Sequence, residues 1–222
     1  MASREVEKMR RNEKKIQNRK RSSTRTSPTI LIVCEGQNTE PSYFRYLKIK
    51  SARIEAIGVG YNTVSLVRKA EELATRKAYD EVWCVFDKDD FAPQDFNEAI
   101  CLAEKKHMHA AYSHQAFEFW ILLHFNDHQG GALHRSRYSE MLNQELLPYG
   151  VSYDGDGCKV ITQELFNLLF DKDSKTGRNR NELALERAER IYGRFAHISP
   201  AMEESSTTVF RLLKQLGEFS RY

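Results

Sequence analysis

Thr29-Ile30-Leu31-Ile32-Val33-Cys34-Glu35-Gly36 sets five apolar residues in an unbroken row and closes them on an acid and a glycine. A continuous apolar run rich in β-branched residues is expected of a strand buried on both faces. The same plan recurs at Val82-Trp83-Cys84-Val85-Phe86-Asp87-Lys88-Asp89-Asp90, again ending in acids. Between and beyond these runs the apolar spacing becomes helical. Residues 40–50 read as a helix with Pro41 near its start and Tyr43, Phe44 and Leu47 on one face. Residues 53–59 read as another strand. Thr63 is the expected N-cap of a helix to about Lys77, with Val64, Val67, Leu73 and Ala74 at helical spacing. A helix at 93–106, a short strand at 109–112 and an apolar helix at 116–125 complete the alternation. Strands alternating with helices in this way predict a parallel α/β sheet.

After Phe125 the character changes. Residues 126–131 form a polar, glycine-containing loop, and the remainder reads as helices at 135–147, 161–170, 180–195 and 207–218. Tyr153-Asp154-Gly155-Asp156-Gly157 reads as a turn, and residues 172–180 as a charged loop. The expected organisation is a basic flexible tail over 1–28, an α/β core over 29–125 and a mainly helical part over 126–222 packed on that core. The fold class is α/β, a mostly parallel, Rossmann-like sheet flanked by helices.

The net charge of +3 across 222 residues conceals a split. Residues 1–25 hold ten Lys/Arg against three Glu, or +7, so the remaining 24 Lys/Arg and 28 Asp/Glu leave a body of −4. A basic arm of this kind is suited to tracking phosphates, although a merely solubilising terminus reads equally well. No apolar run approaches the ~18–20 residues that span a bilayer. No apolar segment follows the N-terminal charges, so a secretory signal is not expected. Cys34, Cys84, Cys101 and Cys158 are far apart and form no CxxC pair, which argues against a zinc knuckle or a disulfide framework. A cytoplasmic protein with no membrane association is the expectation.

The chemistry should lie where the two apolar strands end. In an open parallel sheet, ligands bind outside the carboxyl ends of the strands, and Glu35, Asp87 and Asp89 occupy such ends. Asp87 and Asp89, two apart in extended chain, point the same way. Their oxygens are hard donors suited to Mg²⁺ or Mn²⁺, and Gly36 lets the backbone turn beside Glu35. Either motif alone is commonplace in loops; the two together at one sheet edge favour a metal site. His114 and His124 read as satisfied histidines rather than ligands. Phe117, Phe119, Trp120 and Phe125 read as a helix covering the sheet rather than as a base-stacking surface.

Three motifs, Ile30 to Phe44 with Glu35 and Glu40, Val82 to Phe91 with Asp87, Asp89 and Asp90, and Phe117-Glu118-Phe119-Trp120 through His124-Phe125, together resemble the RloB-like proteins. Ser206-Thr207-Thr208-Val209 is similar to the family's terminal helix. The resemblance, running from about Thr29 to the C-terminus, implies a TOPRIM-type core like that of topoisomerases, primases and OLD-family nucleases. It also implies an association with restriction or abortive-infection genes, in some cases with an ATPase partner. Carried onto this chain, it makes Glu35, Asp87 and Asp89 metal ligands, with Glu40 and Glu118 completing a second site; Asp90 also matches. The chain lacks the further domains of a topoisomerase or primase, so the implied activity is Mg²⁺- or Mn²⁺-dependent phosphodiester hydrolysis in antiviral defence. The substrate would be DNA or RNA, tRNA included. Glu35 is alternatively a general base, Lys159 the candidate for neutralising transition-state charge, and Lys88 the second choice. The other reading is a non-catalytic or conditionally active subunit of a complex with an ATPase. Ser113-His114-Gln115 departs from the Ser-Asn-Pro that the resemblance leads one to expect, so the shape of that loop is left open.

Overall fold

The computed structural model describes residues 27–90, 92–129 and 131–219. The basic tail lies, but for Ser27 and Pro28, outside the described residues. Four strands, β1 (Thr29–Cys34), β2 (Arg53–Gly58), β3 (Glu81–Lys88) and β4 (His109–His114), form one all-parallel sheet in the order β2-β1-β3-β4. Among the described residues eight helices flank it: α1 (Thr39–Tyr46), α2 (Thr63–Arg76), α3 (Pro93–Lys105), α4 (Glu118–Leu122), α5 (Tyr138–Leu146), α6 (Gln163–Phe170), α7 (Arg180–Tyr192) and α8 (Val209–Glu218). Among the described residues no helix is long and apolar enough to cross a membrane.

The unbroken apolar runs are explained by burial on both sides. Leu31, Val33, Cys84 and Phe86 face a cluster with Leu66, Val67 and Ala70 of α2 and Phe96, Ala99 and Ala103 of α3. Ile30, Ile32, Cys34, Trp83 and Val85 face the opposite, larger cluster with α1, α4 and the C-terminal helices. Residues 30–34 have no solvent exposure, and complete burial of each large aliphatic side chain contributes ~1.5–3 kcal/mol. The open edge of β4 is covered by residues 206–208. There Thr208 N–H donates to Tyr112 O at 2.7 Å, and His114 N–H donates to Ser206 O at 2.9 Å. Such cover removes a free ladder that would otherwise template pairing with another chain.

Several expected boundaries move. The first helix ends at Tyr46 rather than Lys50, because Leu47 is already extended (φ −68°, ψ 105°) as the chain turns back towards β2. Asn62, not Thr63, precedes α2 in extended conformation, and its side chain makes no cap bond. The apolar helix expected at 116–125 is regular only over Glu118–Leu122. Beyond it His124 N–H and Phe125 N–H bond to Ile121 O and Leu122 O, tightening the last turn into i→i+3 geometry. The helix expected at 135–147 is α-helical only over Tyr138–Leu146, with 3-10 turns at Arg135–Arg137 and Leu147–Tyr149.

Candidate metal and phosphate cleft

β1 and β3 are neighbours in the centre of the sheet and run parallel, so their carboxyl ends open side by side. This edge brings Glu35 beside Asp87, whose N–H donates to Glu35 Oε2 at 3.3 Å. Glu40 and Glu118 stand in the first turns of α1 and α4. Glu35, Glu40, Asp87, Asp89 and Glu118 line one cleft of about 130 Å³ together with Gly36, Thr39, Phe117, Arg135 and Lys159. Five carboxylates against two cations give the lining a formal charge of −3.

Gly36 is needed here. Its N–H donates to Glu40 Oε1 at 3.1 Å, and a Cβ at this position would overlap the Glu40 carboxylate. Burial raises the Glu40 carboxyl from its ordinary 4.5 to about 7; the Glu118 charge pushes the same way, while the Gly36 N–H and Arg135 oppose it. Burial also lifts Glu35 to about 7, with Asp89 and Glu40 adding to the rise against the Asp87 N–H and Arg135. Asp87 is held well above the carboxylate range by burial and then by Glu40, Glu118 and Glu35. Desolvation and like charge are the two forces that disfavour an ionised carboxylate, and both act in this cleft.

A hard divalent cation fits this donor set. It prefers carboxylate oxygen and supplies the positive charge that the buried acids lack. As they stand, however, no three His, Cys, Asp or Glu side chains among the described residues converge closely enough to hold an ion. The acids line the walls of the cleft without meeting at one centre.

The opposite wall comes from the C-terminal half. Asp154 accepts from the N–H groups of Gly157 and Cys158, both at 2.9 Å, and its carbonyl accepts from Lys159 N–H at 2.9 Å. This turn carries Lys159, at φ 52°, to the cleft. Thr39 Oγ1 donates to Lys159 O at 2.9 Å and lies 3.1 Å from Tyr153 Oη, which donates to Glu118 Oε1 at 2.6 Å. The turn is thereby bonded to α1 and to the acid of α4. Arg135 reaches the cleft from the start of its 3-10 turn. Its backbone N–H donates to Gln115 Oε1 at 3.3 Å, and its guanidinium lies 3.5 Å from Asp89 Oδ2. Gln115 itself is at φ 67°, a conformation closed to proline, so the departure at Ser113-His114-Gln115 gives this loop a shape of its own.

The sequence-predicted residues therefore divide. Glu35, Glu40, Asp87, Asp89, Glu118 and Lys159 share the cleft. Lys88 does not line it and donates from Nζ to Asp89 O at 2.5 Å. Asp90 is exposed and also outside the lining. His114, buried, bonds Pro200 O through Nε2 at 2.9 Å, and His124, also buried, donates from Nδ1 to Trp120 O at 3.0 Å. Burial pushes both imidazoles down to about 4, and neither faces the cleft. Phe117, Phe119 and Trp120 belong to the large core cluster, with Phe125 packed against it. Three lining or supporting residues had no sequence reading of this kind: Thr39, Tyr153 and Arg135. Arg135 lies in the basic run His134-Arg135-Ser136-Arg137, but only its backbone bond to Gln115 aims it at the sheet edge.

Residues 30–216 match the family model described as RloB-like protein. Neither the curated proteins nor the solved structures provide a match.

Proposed function

This chain belongs to the RloB-like protein family, and from that premise we propose that it is a divalent-metal-dependent nuclease of the TOPRIM type that hydrolyses nucleic-acid phosphodiester bonds in antiviral defence. The observation that carries the reading is the meeting of five carboxylates with Lys159 and Arg135 in one cleft at the carboxyl ends of β1 and β3. Glu35, Asp87 and Asp89 would hold Mg²⁺ or Mn²⁺, with Glu40 and Glu118 available for a second ion. The bound cation would supply Lewis-acid polarisation of the phosphate and ready ionisation of water at neutral pH. In the alternative role, with the ion held by the other acids, Glu35, whose carboxyl burial raises to about 7, would accept a proton from water. Lys159 is held by its carbonyl to α1 and offers its ammonium to the charge that develops on phosphate oxygens.

A specific feature favours the second reading, a subunit active only with an ATPase partner. The acids do not converge as they stand, and a lining of five carboxyl groups against two cations offers a polyanion little attraction even where some of the acids are protonated. A partner that presents substrate and closes the cleft would overcome both. The two readings share one test: Mn²⁺-dependent cleavage of plasmid, single-stranded DNA and tRNA, with and without a cognate ATPase. Glu35→Gln, Asp87→Asn and Asp89→Asn should each abolish cleavage while circular dichroism stays unchanged. Undiminished cleavage by all three variants would sink the nuclease assignment. Cleavage by the isolated chain would count against dependence on a partner.

A further inference from the structure

The two edges of the sheet differ. Residues 206–208 cover β4, whereas among the described residues no strand pairs with the outer side of β2. Arg53 N–H donates to Pro28 O at 2.8 Å and Val59 N–H to Cys34 O at 3.1 Å, so the odd-numbered residues here turn their backbone groups towards β1. Alternation then turns those of Ile54 and Ala56 outwards. A six-residue edge strand without proline is a template for another strand.

The side chains alternate as well. Ala52, Ile54 and Ala56 face the large core cluster, with Ile54 only partly buried. On the other face Arg53 is exposed, and Glu55, its side chain 40% exposed, pairs with Lys77 at 2.6 Å. A lone charge on an edge strand discourages pairing. Two of opposite sign, two residues apart, favour it in one register. A second copy laid antiparallel about a two-fold axis centred on Ile54 sets Ile54 against Ile54, Ala52 against Ala56 and Arg53 against Glu55. Centred on Glu55, the axis opposes the two Glu55 side chains; centred on Ala56, it sets Glu55 against Ile57 and Arg53 against Val59. Opposite charges placed directly across a strand pair stabilise it and like charges destabilise it, which selects the first register.

We infer that β2 is the dimerisation edge of this protein: a second copy of the chain pairs its own β2 antiparallel about a two-fold axis at Ile54, with Arg53 of each copy against Glu55 of the other. The four-stranded sheet is thereby doubled. Because the strands of the two copies run in opposite directions, their clefts open at opposite ends of the joined sheet. The inference does not rest on the nuclease reading.

The full chain in EDTA is compared by sedimentation velocity, over a concentration series, with Arg53→Glu, with Glu55→Arg and with an equimolar mixture of the two variants. The parent should sediment at twice the chain mass. Each variant alone opposes like charges on both sides of the axis, so its dimerisation should weaken by about tenfold. In the mixture the two acids of one variant face the two bases of the other, and heterodimers should form about as tightly as the parent dimer. Ile54→Cys provides a measurement that does not depend on the charge variants folding. Directly opposed residues of a hydrogen-bonded antiparallel pair lie within disulfide reach, so mild oxidation should link two chains through residue 54, as identified by mass spectrometry of the joined peptides. A parent that is monomeric throughout overturns the inference, including one whose β2 edge is taken by residues 1–26. So does a dimer that neither charge reversal weakens, or a mixture that fails to recover what the single reversals lose. Absence of the residue 54 disulfide overturns it as well.

Discussion

Glu35→Gln should stabilise the metal-free protein while destroying its activity. The substitution preserves side-chain volume and an oxygen able to accept the Asp87 N–H now at 3.3 Å from Glu35 Oε2. It removes only the charge. Burial, reinforced by Asp89 and Glu40, raises the Glu35 carboxyl from 4.5 to about 7. Between those values the folded protein keeps a proton that the unfolded chain releases, so stability falls as pH rises through this window and levels off near pH 8. At ~1.4 kcal/mol per tenfold change in proton affinity the full effect is ~3 kcal/mol, and partial solvent access places it nearer ~2–3 kcal/mol. For a chain of this size that corresponds to a melting midpoint higher by about 4–12 °C at pH 8. The assay is thermal unfolding by circular dichroism with EDTA at pH 5 and pH 8. At pH 5 the parent's carboxyl is protonated, so the advantage of the variant should shrink by most of its value. Added Mn²⁺ should then raise the parent's midpoint more than the variant's. A variant no more stable than the parent at pH 8, or one whose advantage persists unchanged at pH 5, would refute the account of Glu35 as an uncompensated buried charge.

Two further outcomes follow from the walls of the cleft. Tyr153→Phe leaves the buried Glu118 without the hydroxyl that donates to it at 2.6 Å; a loss of ~1–3 kcal/mol is expected in denaturant titration, and an unchanged midpoint would show that the link between the halves is dispensable. Gly36→Ala drives a Cβ into the Glu40 carboxylate, whose far end can swing away, so unfolding should shift by only ~1 kcal/mol. Mn²⁺ affinity, measured by calorimetry, should drop by about 10–100-fold, and an unaltered affinity would exclude Glu40 from the ion site.

Much of the fold was legible because its strands are buried on both faces. An apolar run such as Ile30 to Cys34 leaves few alternatives, and the acid that ends it must lie at a sheet edge. Helix ends were less legible. Leu47 leaves helical conformation because the chain must return to β2, and α4 is tightened beyond Leu122; neither cause is local in sequence. Phe117, Phe119 and Trp120 were correctly read as core from their apolar density, although regular α-helix spans only five residues there.

The residues of the cleft divide along the same line. The sequence by itself determined the parallel α/β class and the candidate acids of β1 and β3, since strand burial and strand-end position are written in consecutive residues. It also singled out Lys159 by its place after a glycine-rich turn. Only the tertiary structure decided that Lys159 and not Lys88 lines the cleft, that Asp90 is outside it, and that Arg135 stands against Asp89. Those outcomes depend on contacts between residues 46 to 120 positions apart: Arg135 with Asp89, and Thr39 with Tyr153 and the Lys159 carbonyl. The chain must be folded before such pairs have any distance to each other, and no periodicity records them.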